Sequence, residues 1–218
     1  MKDLTITQEY LICAVNEKGK ISGFSTEKLV CFVAAGLLEL QLEKCISIDK
    51  KKVSVIGELP ADKMHLKPLY EFIKPKPVKM ENILEAYNYS LTDKRLNELM
   101  ESVGVALIDM GLVESEKTGV FGNKKSYIPK KEAINRVIDM VRAELLEDGD
   151  VTEDIVALVI LLDKSKTLKR YFSEFEQREL KNKLKEIVNS TNGKMVKDMV
   201  AYVENIITIM TVIVVTQS

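Results

Sequence analysis

A mainly α fold is what this sequence predicts: a compact single helical domain over 1–218, with two short β-hairpins, one of them projecting at about 117–131. Three observations predict it. Apolar residues recur at helical spacing through most of the chain, as at Leu96, Leu99, Val103, Ala106, Leu107 and Met110. Only five prolines interrupt 218 residues, which suits long helices. In two places the helical period gives way to short alternating runs separated by polar turns.

Helices are expected at about 7–16, 26–36, 63–73, 79–87, 92–110, 130–147, 152–163, 167–188 and 193–204. The Ser25-Thr26-Glu27 start and Thr152-Glu153-Asp154 read as N-caps followed by an acidic first turn, and Gly111 as a helix stop. After the helix near Gly36 the alternation Leu38, Leu40, Leu42, then Ile46, Ile48 and Val53, Val55, reads as strand, turn, strand, with Asp49 and Lys50 to Lys52 at the turn. After Gly111 the run LVESEKTGVFGNKKSYIP repeats that order, with Gly122-Asn123 as turn material. In the 167–188 segment, Leu168, Tyr171, Phe172, Phe175, Leu180, Leu184 and Ile187 are expected to form a buried stripe beneath a charged face. The apolar run from Ile206 to Val215 is about half the length needed to span a bilayer and reads as a buried terminal element.

Composition sets the functional bounds. With 46% apolar and 30% charged residues the chain is globular in type, and 32 basic against 33 acidic residues leave a net charge of -1. Affinity for nucleic acid or membrane must therefore come from a local patch. Cys13, Cys31 and Cys45 are odd in number and lack C-x-x-C spacing, which argues against a disulfide framework and a zinc site. The start MKDLTITQEYLICAV lacks signal-peptide character, so a cytoplasmic protein is expected.

His65 is the sole histidine, which leaves no multi-histidine metal site and no Ser-His-Asp set, and it reads as a helix-surface residue. No nucleophile with a base stands out, so neither an enzyme nor a cofactor is expected. Gly119-Val-Phe-Gly-Asn-Lys-Lys125-Ser126 approximates a phosphate-binding P-loop, but Lys124 occupies the second glycine position. Pro129 also prevents a helix from starting at Lys125-Ser126.

As a hairpin the same stretch has chemistry of its own. Lys117, Lys124, Lys125, Lys130 and Lys131 fall within fifteen positions that contain no acid, beside the apolar pair Val120 and Phe121. An anionic membrane surface is the partner such a basic, apolar-tipped hairpin suits. A solvated turn, a wing on nucleic acid and a self-association element are the alternatives. Nucleic acid is disfavoured because the preceding helix carries Glu98, Glu101 and Asp109 against Lys94 and Arg95.

The order of elements resembles the Golgi phosphoprotein 3 family. The resemblance rests on LTITQEYLICAV, VAAGLLELQLEKCISIDKKKVSV, VGVALIDMGLVESEKTGVF, EAINRVIDMVRAELL and DVTEDIVALVILLDKSKTLKRYFS, in that order over about Leu4 to Thr216. It implies a helical domain with a projecting hairpin, no catalysis, and peripheral attachment to membranes. Eukaryotic members bind phosphatidylinositol 4-phosphate and act as adaptors for membrane-protein clients, and members use the hairpin for membrane contact or self-association. The family holds the headgroup with a tryptophan and three arginines. Here there is no tryptophan, and Glu27, Asn97 and Met100 stand at the arginine positions, departures that suggest a prokaryotic-type member. Phe24, Lys28, Lys94 and Arg95 are the candidates for a rebuilt lipid or anion pocket, and the five lysines with Val120 and Phe121 for the membrane or oligomer hairpin.

Overall fold

The computed structural model describes residues 4–22, 25–49, 51–88, 92–118, 124–147, 151–189, 194, 197–205 and 208. In chain order its elements are α1 (Ile6–Ala14), α2 (Thr26–Leu42), β1 (Ile46–Asp49), β2 (Lys52–Val55), a 3-10 turn at Ala61–Leu66, α3 (Lys67–Ile73), β3 (Val78–Lys79), α4 (Met80–Asn88) and α5 (Lys94–Asp109). Then come β4 (Val113–Thr118), β5 (Lys124–Pro129), α6 (Lys131–Leu145), α7 (Glu153–Lys164), a second 3-10 turn at Leu168–Arg170, and α8 (Glu174–Asn189). The mainly helical expectation holds.

Three helices lack an exposed face, and they form the centre. Every residue of α1 is buried, as are Val30 to Leu40 of α2 and Ile155 to Leu162 of α7. A helix that is apolar all round must be surrounded, and these three pack on one another. The amphipathic helices α4, α5 and α6 turn one stripe inward around them. On α5 that stripe is Leu96, Leu99, Val103, Gly104 and Leu107.

This all-round burial explains the first correction. The Leu38, Leu40, Leu42 alternation reads as a strand, but α2 runs on to Leu42 and buries both phases, Leu37 and Leu38, Glu39 and Leu40. Period 2 and period 3.6 cannot be told apart when both faces are covered. The helix stops only at Lys44, in the left-handed region at φ 55. There the Lys44 amide donates to Gln41 O and the Cys45 amide to Leu40 O, a Schellman ending.

Gly111 (φ 73) ends α5 and Lys166 (φ 58) ends α7 by the same pair of bonds. After α2 the first hairpin forms with Ile46 opposite Val55 and Asp49 opposite Lys52. β3 adds a third antiparallel strand that the sequence reading does not contain.

A second correction concerns 167–188. The chain makes a 3-10 turn, breaks at Tyr171 to Ser173, and restarts as α8. Ser173 and Glu176 build the restart: Ser173 Oγ accepts from the Glu176 amide at 3.3 Å, and Glu176 Oε2 accepts from the Ser173 amide at 2.8 Å. The break shifts the helical register, so Phe175 is 62% exposed, while Leu168, Phe172 and Leu180 are buried as expected. The Ile206 to Val215 run lies outside the described residues apart from Thr208.

Candidate functional site

The β4–β5 hairpin is built on α5. Val113 pairs with Pro129, Ser115 with Tyr127 and Lys117 with Lys125, all on one face, because directly opposed residues in an antiparallel ladder share a face. At the base Tyr127 lies so close to Gly104 of α5 that a Cβ there would collide with its ring. Its amide donates to Gly19 O at 2.9 Å, which ties the hairpin to the loop after α1. The Tyr127 hydroxyl is buried, and among the described residues it has no hydrogen-bond partner. Burial, with the nearby Glu101 carboxylate, pushes its ionisation up to about 12.

Further out the same face becomes basic. Lys117 and Lys125 are exposed and directly opposed, an arrangement that destabilises a ladder unless anions offset it. One of the pair is offset internally, because Lys125 Nζ lies 2.6 Å from Glu101 Oε1. Glu114 and Glu116 project from the other face, opposite Ile128 and the buried Ser126.

Lys130 stands at the N-cap position of α6 without a side-chain capping bond and Lys131 is the first residue of the helix, both exposed. Cations at that end of a helix meet its positive pole, a cost of about 0.3–1 kcal/mol each. Val120 and Phe121 lie outside the described residues. Lys125 and Ser126 stand in a β-strand and the next helix begins only at Lys131, which disposes of the P-loop reading.

The second candidate group is dispersed over two places. Lys94 and Arg95 open α5, where Lys94 pairs loosely with Glu98 at 3.9 Å and the Arg95 guanidinium stacks on Phe72 of α3 at 4.6 Å. Lys28, on α2, instead reaches Ala14 O at the end of α1 at 3.4 Å. Their neighbours are therefore different, and Phe24 lies outside the described residues. What accompanies Lys28 is Arg170, which donates to Val15 O, a grouping that sequence distance conceals.

His65 corrects the sequence reading outright. It is 5% exposed, and its Nε2–H donates to Glu39 Oε1 at 3.0 Å, with Thr5 Oγ1 at 3.2 Å from the same nitrogen. Glu39 also accepts from the Thr7 amide (3.1 Å) and hydroxyl (2.7 Å), and Lys63 Nζ lies 3.8 Å away. Burial raises the Glu39 carboxyl, but the hydrogen bond and charge of His65 and the threonine hydroxyls outweigh it and hold the group below its ordinary range.

Glu9, one turn along α1, behaves oppositely. Burial, then Asp154, with further repulsion from Glu144 and Glu39 against attraction by Arg136, raises its carboxyl to about 8. This network pins α1, α2 and the first 3-10 turn together. It is closed to solvent, and among the described residues no group of three or more His, Cys, Asp and Glu side chains is arranged to hold a metal.

The described residues thus form a helical body carrying a basic two-stranded hairpin. The sequence matches the Golgi phosphoprotein 3 (GPP34) family model over residues 6–203, and the chain belongs to that family. A search of curated proteins finds no match. Among the described residues no helix is long and apolar enough to cross a membrane.

Proposed function

We propose that this protein is a non-enzymatic peripheral membrane protein of the cytoplasmic side, which binds anionic lipid surfaces through the β4–β5 hairpin. The observation that carries the reading is the exposed Lys117 directly opposite Lys125, next to the Val120-Phe121 segment. Lys130 and Lys131 add to it at the positive end of α6. Lys125 is offset by Glu101, whereas Lys117, Lys130 and Lys131 sit in an unfavourable local field, and an anionic surface converts each of these three into a gain of about 1 kcal/mol. Inserting the apolar pair adds about 1.5–3 kcal/mol per fully buried large side chain. The total suits reversible attachment.

The test is vesicle co-sedimentation at low and near-physiological salt, with neutral vesicles, phosphatidylserine vesicles, and vesicles holding phosphatidylinositol 4-phosphate. The variant carries Lys117→Glu, Lys124→Glu, Lys130→Glu and Lys131→Glu. Lys125 is left in place because its reversal would set a second carboxylate against Glu101. Binding to anionic vesicles is expected to fall at least about tenfold; unchanged binding refutes the assignment.

Family membership extends the reading to an adaptor with a membrane-protein client, and to self-association through the same hairpin. Light scattering across a concentration series, with Val120→Ser and Phe121→Ser as the comparison, tests the latter. Duplex DNA is disfavoured by the exposed Glu98, Glu101 and Asp109 of α5.

A further inference from the structure

We propose that the C-terminal end of α1 carries a separate anion site, formed by Lys28, Lys169 and Arg170, that takes a phosphate monoester. The inference deepens the membrane reading by adding headgroup recognition, and it uses none of the hairpin lysines.

The site begins with helix chemistry. α1 has no basic residue of its own in its last turn, yet its final carbonyls are capped from three directions. Tyr171 OH donates to Cys13 O at 2.9 Å, Lys28 Nζ to Ala14 O at 3.4 Å, and an Arg170 amine to Val15 O. Consecutive carbonyls lie a few ångströms apart, so the ammonium of Lys28 and the guanidinium of Arg170 are held side by side.

Lys169 lies close enough to act on Lys28: desolvation first, then Arg170 and Lys169, lowers the ionisation of the Lys28 amine, with no carboxylate among the causes. Tyr171 is half-buried beneath Arg170, whose guanidinium lies 5.3 Å from the ring centre and is thereby fixed in place.

Charge bookkeeping shows what capping alone leaves over. A helix C-terminus presents about half a negative charge. Two full positive charges, those of Lys28 and Arg170, meet it here with Lys169 beside them, and among the described residues no carboxylate lies within ion-pair distance of Lys28, Lys169 or Arg170. The neighbouring Lys166 is already spoken for, since it pairs with Glu27 at 2.7 Å. A dianionic phosphate monoester supplies the missing charge. The planar guanidinium can hold two of its oxygens, with the lysines as point charges beside it.

Position favours a lipid source. Val15, which Arg170 caps, is four residues from Gly19, which Tyr127 of the hairpin contacts. Four residues span at most roughly 14 Å. Asn16 shortens this further, because its side-chain oxygen accepts from the Lys18 and Lys20 amides and closes the loop into a turn. The cluster therefore lies near the base of the hairpin whose outer lysines are proposed to meet the membrane.

The experiment compares vesicles of phosphatidylcholine doped with phosphatidic acid, a monoester, against phosphatidylserine at matched surface charge. Inorganic phosphate is titrated separately by amide NMR. The wild-type chain is expected to prefer the phosphatidic acid vesicles by roughly tenfold. Lys169→Glu, an exposed change with no side-chain hydrogen bond or ion pair to lose among the described residues, combined with Lys28→Met, removes that preference and leaves phosphatidylserine binding in place.

The hairpin variant lowers binding to both vesicles and keeps the ratio, so failure of the hairpin reading and failure of this one are distinguishable. If the vesicles show no preference but millimolar phosphate moves the amides of Lys28, Lys169 and Arg170, the site stands with a soluble ligand. No preference together with no phosphate response at those amides overturns the proposal.

Discussion

Glu9 gives the sharpest quantitative prediction. Its side chain is buried between α1 and the α6–α7 region, and its carboxyl titrates near 8 instead of 4.5. A folded pKa raised above the unfolded one means that the native state binds the proton more tightly. The stability that Glu9 permits is thus fully present below about pH 4.5, and is lost as pH rises through 8. At about 1.4 kcal/mol per unit, the loss is on the order of 3–5 kcal/mol.

Glu39 works in the opposite direction, since its carboxyl is held below the ordinary range; its contribution is present above about pH 4.5 and disappears only as pH falls further. The window between pH 5 and 8 therefore separates Glu9 from Glu39, while Asp154, whose carboxyl burial also raises, acts with the same sign as Glu9 and is common to wild type and variant. Glu9→Gln keeps the shape and cannot ionise. Urea unfolding followed by circular dichroism, which a chain without tryptophan favours over fluorescence, is run from about pH 5 to about pH 9. The variant is expected to match the wild type near pH 5 and to exceed it by several kcal/mol near pH 9. Parallel pH profiles for the two proteins refute the reasoning.

The remaining predictions concern single contacts. His65→Ala leaves the buried Glu39 carboxylate without its imidazole donor and is expected to cost about 2–4 kcal/mol in urea unfolding; a cost below about 1 kcal/mol refutes a structural role for the pair. Lys44→Gly relieves the left-handed backbone at φ 55 and is expected to stabilise by about 0.5–1 kcal/mol, read as a higher melting temperature. Tyr127→Phe deletes a buried hydroxyl that has no partner among the described residues, so thermal unfolding should be unchanged or shifted upward by up to about 1 kcal/mol; a clear loss indicates a bond through water.

Local signals made much of the fold legible. Gly111 marks the end of α5, Thr152 caps α7 by accepting from the Ile155 amide, and the β4–β5 arms fall where the turn residues and alternation put them. The misses share a cause. Lys44 and Lys166 end helices in a conformation that favours glycine, so neither carries a compositional mark. The Ser173-x-x-Glu176 box was readable, but it was masked by a continuous apolar stripe on either side. At the candidate surface the five lysines were visible as a cluster, whereas the Lys125–Glu101 pair was not, because it joins a strand to a helix 24 residues away.

The sequence by itself determined the helical class, the family and the basic hairpin, since periodicity, turn chemistry and residue order are properties of neighbours along the chain. Only the tertiary structure decided that α2 runs through its apparent strand, that His65 is a buried partner of Glu39, and that Lys28 meets Arg170 across 142 positions. Each of these depends on which elements pack together. Burial and charge balance come from that packing, and residues remote in sequence supply both.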